Sequence, residues 1–115
     1  MGPGTLTGWQ RAGIVFGASS LQSNGSVRGV LATKNAVGIE ITGGEGASVH
    51  GNVARDNKFG IVVRHGANQN WIEGNIALNN KDTDLSDHNP NCGDNVWTGN
   101  DFGTAFALPS PSCIH

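Results

Sequence analysis

Val49-His50-Gly51-Asn52-Val53-Ala54-Arg55-Asp56-Asn57 and Ile72-Glu73-Gly74-Asn75-Ile76-Ala77-Leu78-Asn79-Asn80 are two copies of one frame. An apolar residue opens each copy, Gly stands third, Ala sixth, and Asn closes it. An earlier copy reads Val27-Arg28-Gly29-Val30-Leu31-Ala32-Thr33-Lys34-Asn35, and a partial later one Trp97-Thr98-Gly99-Asn100-Asp101-Phe102. The shared glycines, Gly29, Gly51, Gly74 and Gly99, are 22, 23 and 25 residues apart. Between these copies runs a second element: Gly13-Ile14-Val15-Phe16, Gly38-Ile39-Glu40-Ile41, Gly60-Ile61-Val62-Val63 and a degraded Asp84-Leu85. Its apolar residues alternate, which is the period of a strand with one face inward. No stretch shows the spacing of an amphipathic helix.

A repeat of about 22 residues made of short strands and Gly/Asn turns fits one coil of a parallel β-solenoid. Leucine-rich repeats have that length but need a Leu-x-x-Leu-x-Leu frame, which is missing. An Asn- and Gly-rich β-sandwich with accidental periodicity is the competing fold. In a solenoid each coil lies about 4.8 Å above the last, so equivalent residues form columns. The expected inward columns are Ile14/Ile39/Ile61/Leu85, Phe16/Ile41/Val63, Val27/Val49/Ile72/Trp97 and Leu31/Val53/Ile76. A polar column, Asn35/Asn57/Asn80, is expected to bond amide to amide along the axis.

Composition agrees with this reading and removes several function classes. The 115 residues make one small domain, with 18 Gly, 13 Asn, and 16 Val plus Ile against 6 Leu. Such usage disfavours helices. Charged residues are 14% and the net charge is -2, so there is no basic footprint for nucleic acid. No apolar run is long enough for a transmembrane helix. Met1-Gly2-Pro3-Gly4 does not start a signal peptide and reads as a cut edge. Cys92 and Cys113 lie among turn formers outside any zinc spacing. A disulfide between them, with free thiols as the alternative, implies an oxidising compartment, secreted or periplasmic. Asn24-Gly25-Ser26 matches a glycosylation sequon.

From Gly38 through Asn80, and in the tail running through Asn91-Cys92-Gly93, Asn95-Val96-Trp97-Thr98-Gly99-Asn100, Phe102 and Pro111-Ser112-Cys113-Ile114, the sequence resembles the parallel β-helix repeat proteins of the pectin-lyase-like superfamily. The resemblance covers roughly residues 13–114 and is specific for fold rather than activity. It implies an all-β, right-handed, single-stranded parallel β-helix of three to four coils, ending like the C-terminal coils of a secreted bacterial β-helix protein. Right-handedness also follows the general rule for parallel crossovers. The expected organisation is an N-terminal segment at 1–12, coils at 13–86, and a final partial coil with a disulfide-tied cap at 87–115. Trp97 and Phe102 are large enough to plug the core end. The first coil has no such plug. Its edge is expected to meet further coils of a longer chain, or a second copy.

Function is less legible. Arg28, His50, Glu73 and Thr98 are expected to form one outward column. A carboxylate beside a His is the raw material of general acid–base chemistry, yet on an open face it is also an ordinary solvated ion pair. The resemblance implies a basic proton abstractor acting on uronates, for which Arg55, Arg64 and His65 are the residues of suitable type. Asp82, Asp84 and Asp87 form the densest acidic cluster. Such hard oxygen donors suit Ca²⁺, or else the cluster is a run of Asx-turns at a broken coil. No other cofactor is called for. Gly43-Gly44-Glu45-Gly46 lacks the Lys-Ser/Thr and helix of a phosphate loop and reads as a turn. The Arg-x-Pro-x-x-Arg segment of pectate lyases, the polygalacturonase set and the Asp-Pro-His-Asp of mannuronan epimerases are all missing. The leading expectation is a structural and capping module of a polysaccharide-associated protein, with Trp71 facing outward as a sugar-stacking residue. The alternative is a polysaccharide lyase, hydrolase or epimerase.

Overall fold

The computed structural model describes residues 25–42 and 46–115 in full, together with the backbone of two earlier strands. Trp9, Asn24, residues 43–45, where a turn is expected, and the side chains of Ile14 and Phe16 lie outside the described residues. The strands are β1 (Gly4–Thr7), β2 (Ala12–Phe16), β3 (Ser26–Arg28), β4 (Val30–Thr33), β5 (Val37–Ile41), β6 (Ser48–His50), β7 (Val53–Arg55), β8 (Phe59–Val63), β9 (Trp71–Glu73), β10 (Ile76–Leu78), β11 (Thr83–Asp87), β12 (Val96–Thr98), β13 (Asp101–Phe102) and β14 (Ala105–Ala107). Every third strand belongs to the same sheet. The orders are β1-β4-β7-β10-β13, β2-β5-β8-β11-β14 and β3-β6-β9-β12, and neighbouring strands run parallel. The chain is therefore a β-solenoid of about three turns with three faces.

The register places equivalent residues on top of one another. Ile39 lies on Ile61 and Ile61 on Leu85; Val27 on Val49, Val49 on Ile72, and Ile72 on Trp97. All of these are buried. Each Val, Ile or Leu so buried stabilises the fold by about 1.5–3 kcal/mol relative to exposure. Coil stacking reaches back to β1, whose Gly4–Thr7 backbone pairs with Val30–Thr33.

One expected column faces the other way. Leu31, Val53 and Ile76 do stack, but Ile76 is exposed and the other two are only half-buried. The inward column of that sheet is Ala32/Ala54/Ala77, fully buried. The reason is the corner before it. Gly29, Gly51 and Gly74 each have φ between 66° and 68°. A left-handed residue interrupts the alternation of an extended chain, so the next strand starts with its faces exchanged. Strict alternation carried through the corner from Val27 selects the wrong set.

Left-handed residues mark the other corners too: Lys34, Asp56 and Asn79 at one, Gly46 and Gln69 at another. The residue after each points inward, and from the second coil onward it is Asn. This gives three amide ladders, of which only Asn35/Asn57/Asn80 was expected. In that ladder the Asn35 N–H donates to Asn57 Oδ1 (2.9 Å) and the Asn57 N–H to Asn80 Oδ1 (3.0 Å). At the glycine corner, Val30, Asn52 and Asn75 donate their N–H to the Oδ1 of Asn52, Asn75 and Asn100. At the third corner Ala47 donates to Asn70 and Asn70 to Asn95. Asn suits these places because its amide accepts from the coil before it and donates with Nδ2 both to a strand carbonyl and to the next Oδ1. Asn57 Nδ2, for example, reaches Ala32 O and Asn80 Oδ1. Buried corner backbone is thereby satisfied without water.

A ladder that always donates forward needs an acceptor at its end. The His115 carbonyl receives both the N–H and Nδ2 of Asn100. Asp84 ends the Asn80 ladder, and Asp87 takes Asn95 Nδ2. The cap closes over these ends. Trp97 is buried and donates its indole N–H to Asp87 Oδ2 (2.8 Å), and Phe102 packs half-buried against the core. Cys92 and Cys113 are joined by the expected disulfide, with buried Ile114 beside it.

Candidate functional site

The outer face of the β3-β6-β9-β12 sheet gathers the most chemistry. Its inward residues are Val27, Val49, Ile72 and Trp97, so the residues flanking them point outward. One outward column is Ser26/Ser48/Trp71/Val96, the other Arg28/His50/Glu73/Thr98, as the register requires. Trp71 is 51% exposed, and its indole N–H donates to Glu73 Oε2 at 3.3 Å. Val96, also exposed, extends the apolar surface by one rung.

Arg28, Gly29, His50 and Gly51 line a shallow hollow of about 440 Å³ at the edge of this face. The glycine column keeps it open: a Cβ placed on Gly51 would meet nothing within 4 Å, and one on Gly74 would sit 3.7 Å from the His50 ring. Arg28 and His50 bring positive or proton-bearing groups to the hollow, and the Trp71 ring stands one rung on. His50 and Glu73 are register neighbours. Among the described residues no hydrogen bond or ion pair joins them; the Glu73 carboxylate is instead held by the indole.

The other basic candidates are not brought to this face. Arg55 ends β7 on a different sheet and lies 4.0 Å from Asp56, with both side chains half exposed. Arg64 follows β8 on the third sheet, where its Nε donates to Glu40 at 2.6 Å. Glu40 is fully buried although it points away from the core, with Val62 and Ser86 buried in the same column. His65 is exposed in the turn after β8. His88 packs against Phe106 with ring centroids 5.6 Å apart. Partial burial and then the Arg64 charge hold its imidazole below the usual range, against the opposing pull of Asp87.

Asp82, Asp84 and Asp87 do not converge. Asp82 is exposed and lies 3.8 Å from Lys58. Asp84 Oδ1 accepts from the N–H and Nδ2 of Asn80, and its Oδ2 from the N–H groups of Gly103 and Thr104. Burial opposes its charge, but the Asn80 side chain and these backbone donors prevail and hold the carboxyl below its usual range. Asp87 is fully buried; it accepts from Asn89 N, Asn89 Nδ2, Asn95 Nδ2 and Trp97 Nε1. Both carboxylates are ladder ends. The residues missed by sequence reasoning are the other ladder members, Asn52, Asn75, Asn100, Asn70 and Asn95, and Asn89, which bonds to Asp87. The repeated Gly-Asn pairs at 51–52, 74–75 and 99–100 carried a signal for the first three.

Among known families, the model described as "Periplasmic copper-binding protein (NosD)" matches residues 5–107. No curated protein and no solved structure matches the chain. The description agrees with the expected secreted or periplasmic setting, and no helix of the described residues is long and apolar enough to cross a membrane. The copper in that description has no fitting donor set here. Both thiols are consumed in the disulfide, and among the described residues no three of His, Cys, Asp or Glu come together. With a matched segment that spans nearly all the coils, the chain belongs to the NosD family and is a periplasmic β-helix module.

Proposed function

We propose that this module is a structural, capping part of a polysaccharide-associated protein and presents a shallow glycan-binding face on the β3-β6-β9-β12 sheet. The observation that carries this reading is Trp71. A large indole held half in solvent on a flat sheet, its N–H tethered to a neighbouring carboxylate, offers an apolar plate at low entropic cost. Sugar rings stack on such plates while their hydroxyls bond to polar neighbours. Ser48, Glu73 and Thr98 lie around the ring, and Arg28 and His50 offer a hollow for an acidic substituent.

The test is isothermal titration calorimetry with a panel of neutral and uronate-containing polysaccharides. Saturable binding of at least one glycan, abolished in Trp71→Ala, is the expected result. Equal binding by the variant, or no binding to any glycan, overturns the reading. The aligned Arg28/His50/Glu73 column favours a second reading, a lyase, hydrolase or epimerase on uronate glycans. Assay with and without Ca²⁺ separates the two: release of unsaturated uronate or reducing ends, lost in His50→Gln, marks an enzyme. Among the described strands, β1, β2 and β3 are the outermost of their sheets, which suits stacking on further coils of a longer chain or on a second copy.

A further inference from the structure

We infer that the copper binding in the family's description does not reside in these coils while the disulfide is intact, and that the module serves as scaffold rather than metal carrier. Copper in proteins is held by imidazole, thiolate and thioether groups, several of which must converge. This chain has four His, two Cys and one Met. All the His and Cys are among the described residues.

Their placement brings no three of them together among the described residues. His50 ends β6 on one sheet, His65 and His88 follow the paired strands β8 and β11 of another, and His115 is in the C-terminal cap. Two of the four carry a cationic neighbour. Arg28 is the register partner of His50, and Arg64 acts on His88 through its charge. A guanidinium beside an imidazole opposes a second cation there. The His115 carbonyl is tied to Asn100 at the end of an amide ladder. Cys92 is 1% exposed and bonded to Cys113, so neither sulfur is a thiolate.

The test uses the whole disulfide-bonded chain and copper itself. Cu(II), and Cu(I) under anaerobic conditions, are supplied as complexes with chromophoric chelators of micromolar affinity. The expected result is that the chelators keep the copper, and that electron paramagnetic resonance of added Cu(II) shows no multi-nitrogen site. One equivalent of copper withdrawn from the chelator by the oxidised protein overturns the inference. So does a multi-nitrogen spectrum that disappears in His50→Gln, His65→Gln or His88→Gln. Binding that appears only after a dithiol reductant opens the disulfide, and is absent from the Cys92→Ser/Cys113→Ser variant, supports it, because the competent donors are then the thiolates that the native bond removes.

Discussion

Asn57→Ala probes the amide ladders at their centre. Asn57 is buried, and its Oδ1 accepts from the Asn35 N–H at 2.9 Å while its Nδ2 donates to Ala32 O at 3.0 Å and Asn80 Oδ1 at 3.1 Å. Truncation removes all three bonds. The Asn35 N–H loses this acceptor and the Ala32 carbonyl this donor, inside the coil; Asn80 Oδ1 keeps the Asn57 N–H. A buried polar group deprived of its partner costs about 1–3 kcal/mol, so two cost about 2–6 kcal/mol. Asn57→Asp keeps an acceptor for Asn35 but turns an oxygen toward Ala32 O and Asn80 Oδ1. It is therefore expected to recover little at neutral pH, and to gain on acidification as its carboxyl acquires a proton to donate. Urea unfolding followed by circular dichroism measures both variants. A loss below about 1 kcal/mol for Asn57→Ala would mean that the Asn35 N–H and Ala32 carbonyl are not stranded in the coil, since that is the level of a single solvent-compensated bond.

Other consequences are as specific. Gly60→Ala is expected to cost about 1–3 kcal/mol, because a Cβ there overlaps the Asp84 carbonyl and lies 2.7 Å from the Asn80 amide. Gly51→Ala meets no atom within 4 Å and is expected to cost about 1 kcal/mol from its φ of 67° alone. Equal losses in urea melts of the pair would contradict the placement of these glycines. The Asp84 carboxyl is held below its unfolded value, so its stabilisation is present above that value and is lost as pH falls through the folded one. Unfolding midpoints should therefore drop below about pH 4, and Asp84→Asn should be less stable at pH 7 with a flatter acid limb. The Cys92→Ser/Cys113→Ser variant is expected to lose about 3 kcal/mol for a loop with sequence separation 21, the cap exchanging its amide protons first. His88 is expected to titrate below the usual range in NMR and to move up in Arg64→Gln, since that charge is one cause of the depression; an unmoved titration would remove Arg64 from the account.

The coil itself was legible because a frame repeated every 22 to 25 residues fixes which residues stack, whatever the turns between them do. Ile39 on Ile61 and Val49 on Ile72 followed from counting alone. Facing was harder. Leu31, Val53 and Ile76 look like core by hydrophobicity, and only the left-handed φ of Gly29, Gly51 and Gly74 shows that alternation restarts at that corner. The Asn52 and Asn70 ladders were hidden by their first members, Val30 and Ala47, which donate through the backbone and need no amide. In the candidate site, the outward placement of Trp71 and the Arg28/His50/Glu73 column could be read from register. Two features depended on rotamers: the tether from Trp71 to Glu73, and the spending of Asp84 and Asp87 on ladder ends. Acidic residues close in sequence suggested a shared cation. In the fold Asp84 and Asp87 lie toward opposite ends of β11 and end separate ladders, while Asp82 stands exposed beside Lys58.

The most direct test of coil-on-coil stacking is NMR detection of couplings across the ladder hydrogen bonds, from a backbone amide of one coil to a side-chain carbonyl carbon of the next. Stacked coils should give cross-peaks from the Asn35 amide to Asn57 Cγ, from Asn52 to Asn75 and from Asn70 to Asn95, with slowly exchanging protons at all three donors. Fast exchange at these amides, or couplings to any other partner, would contradict the stacking.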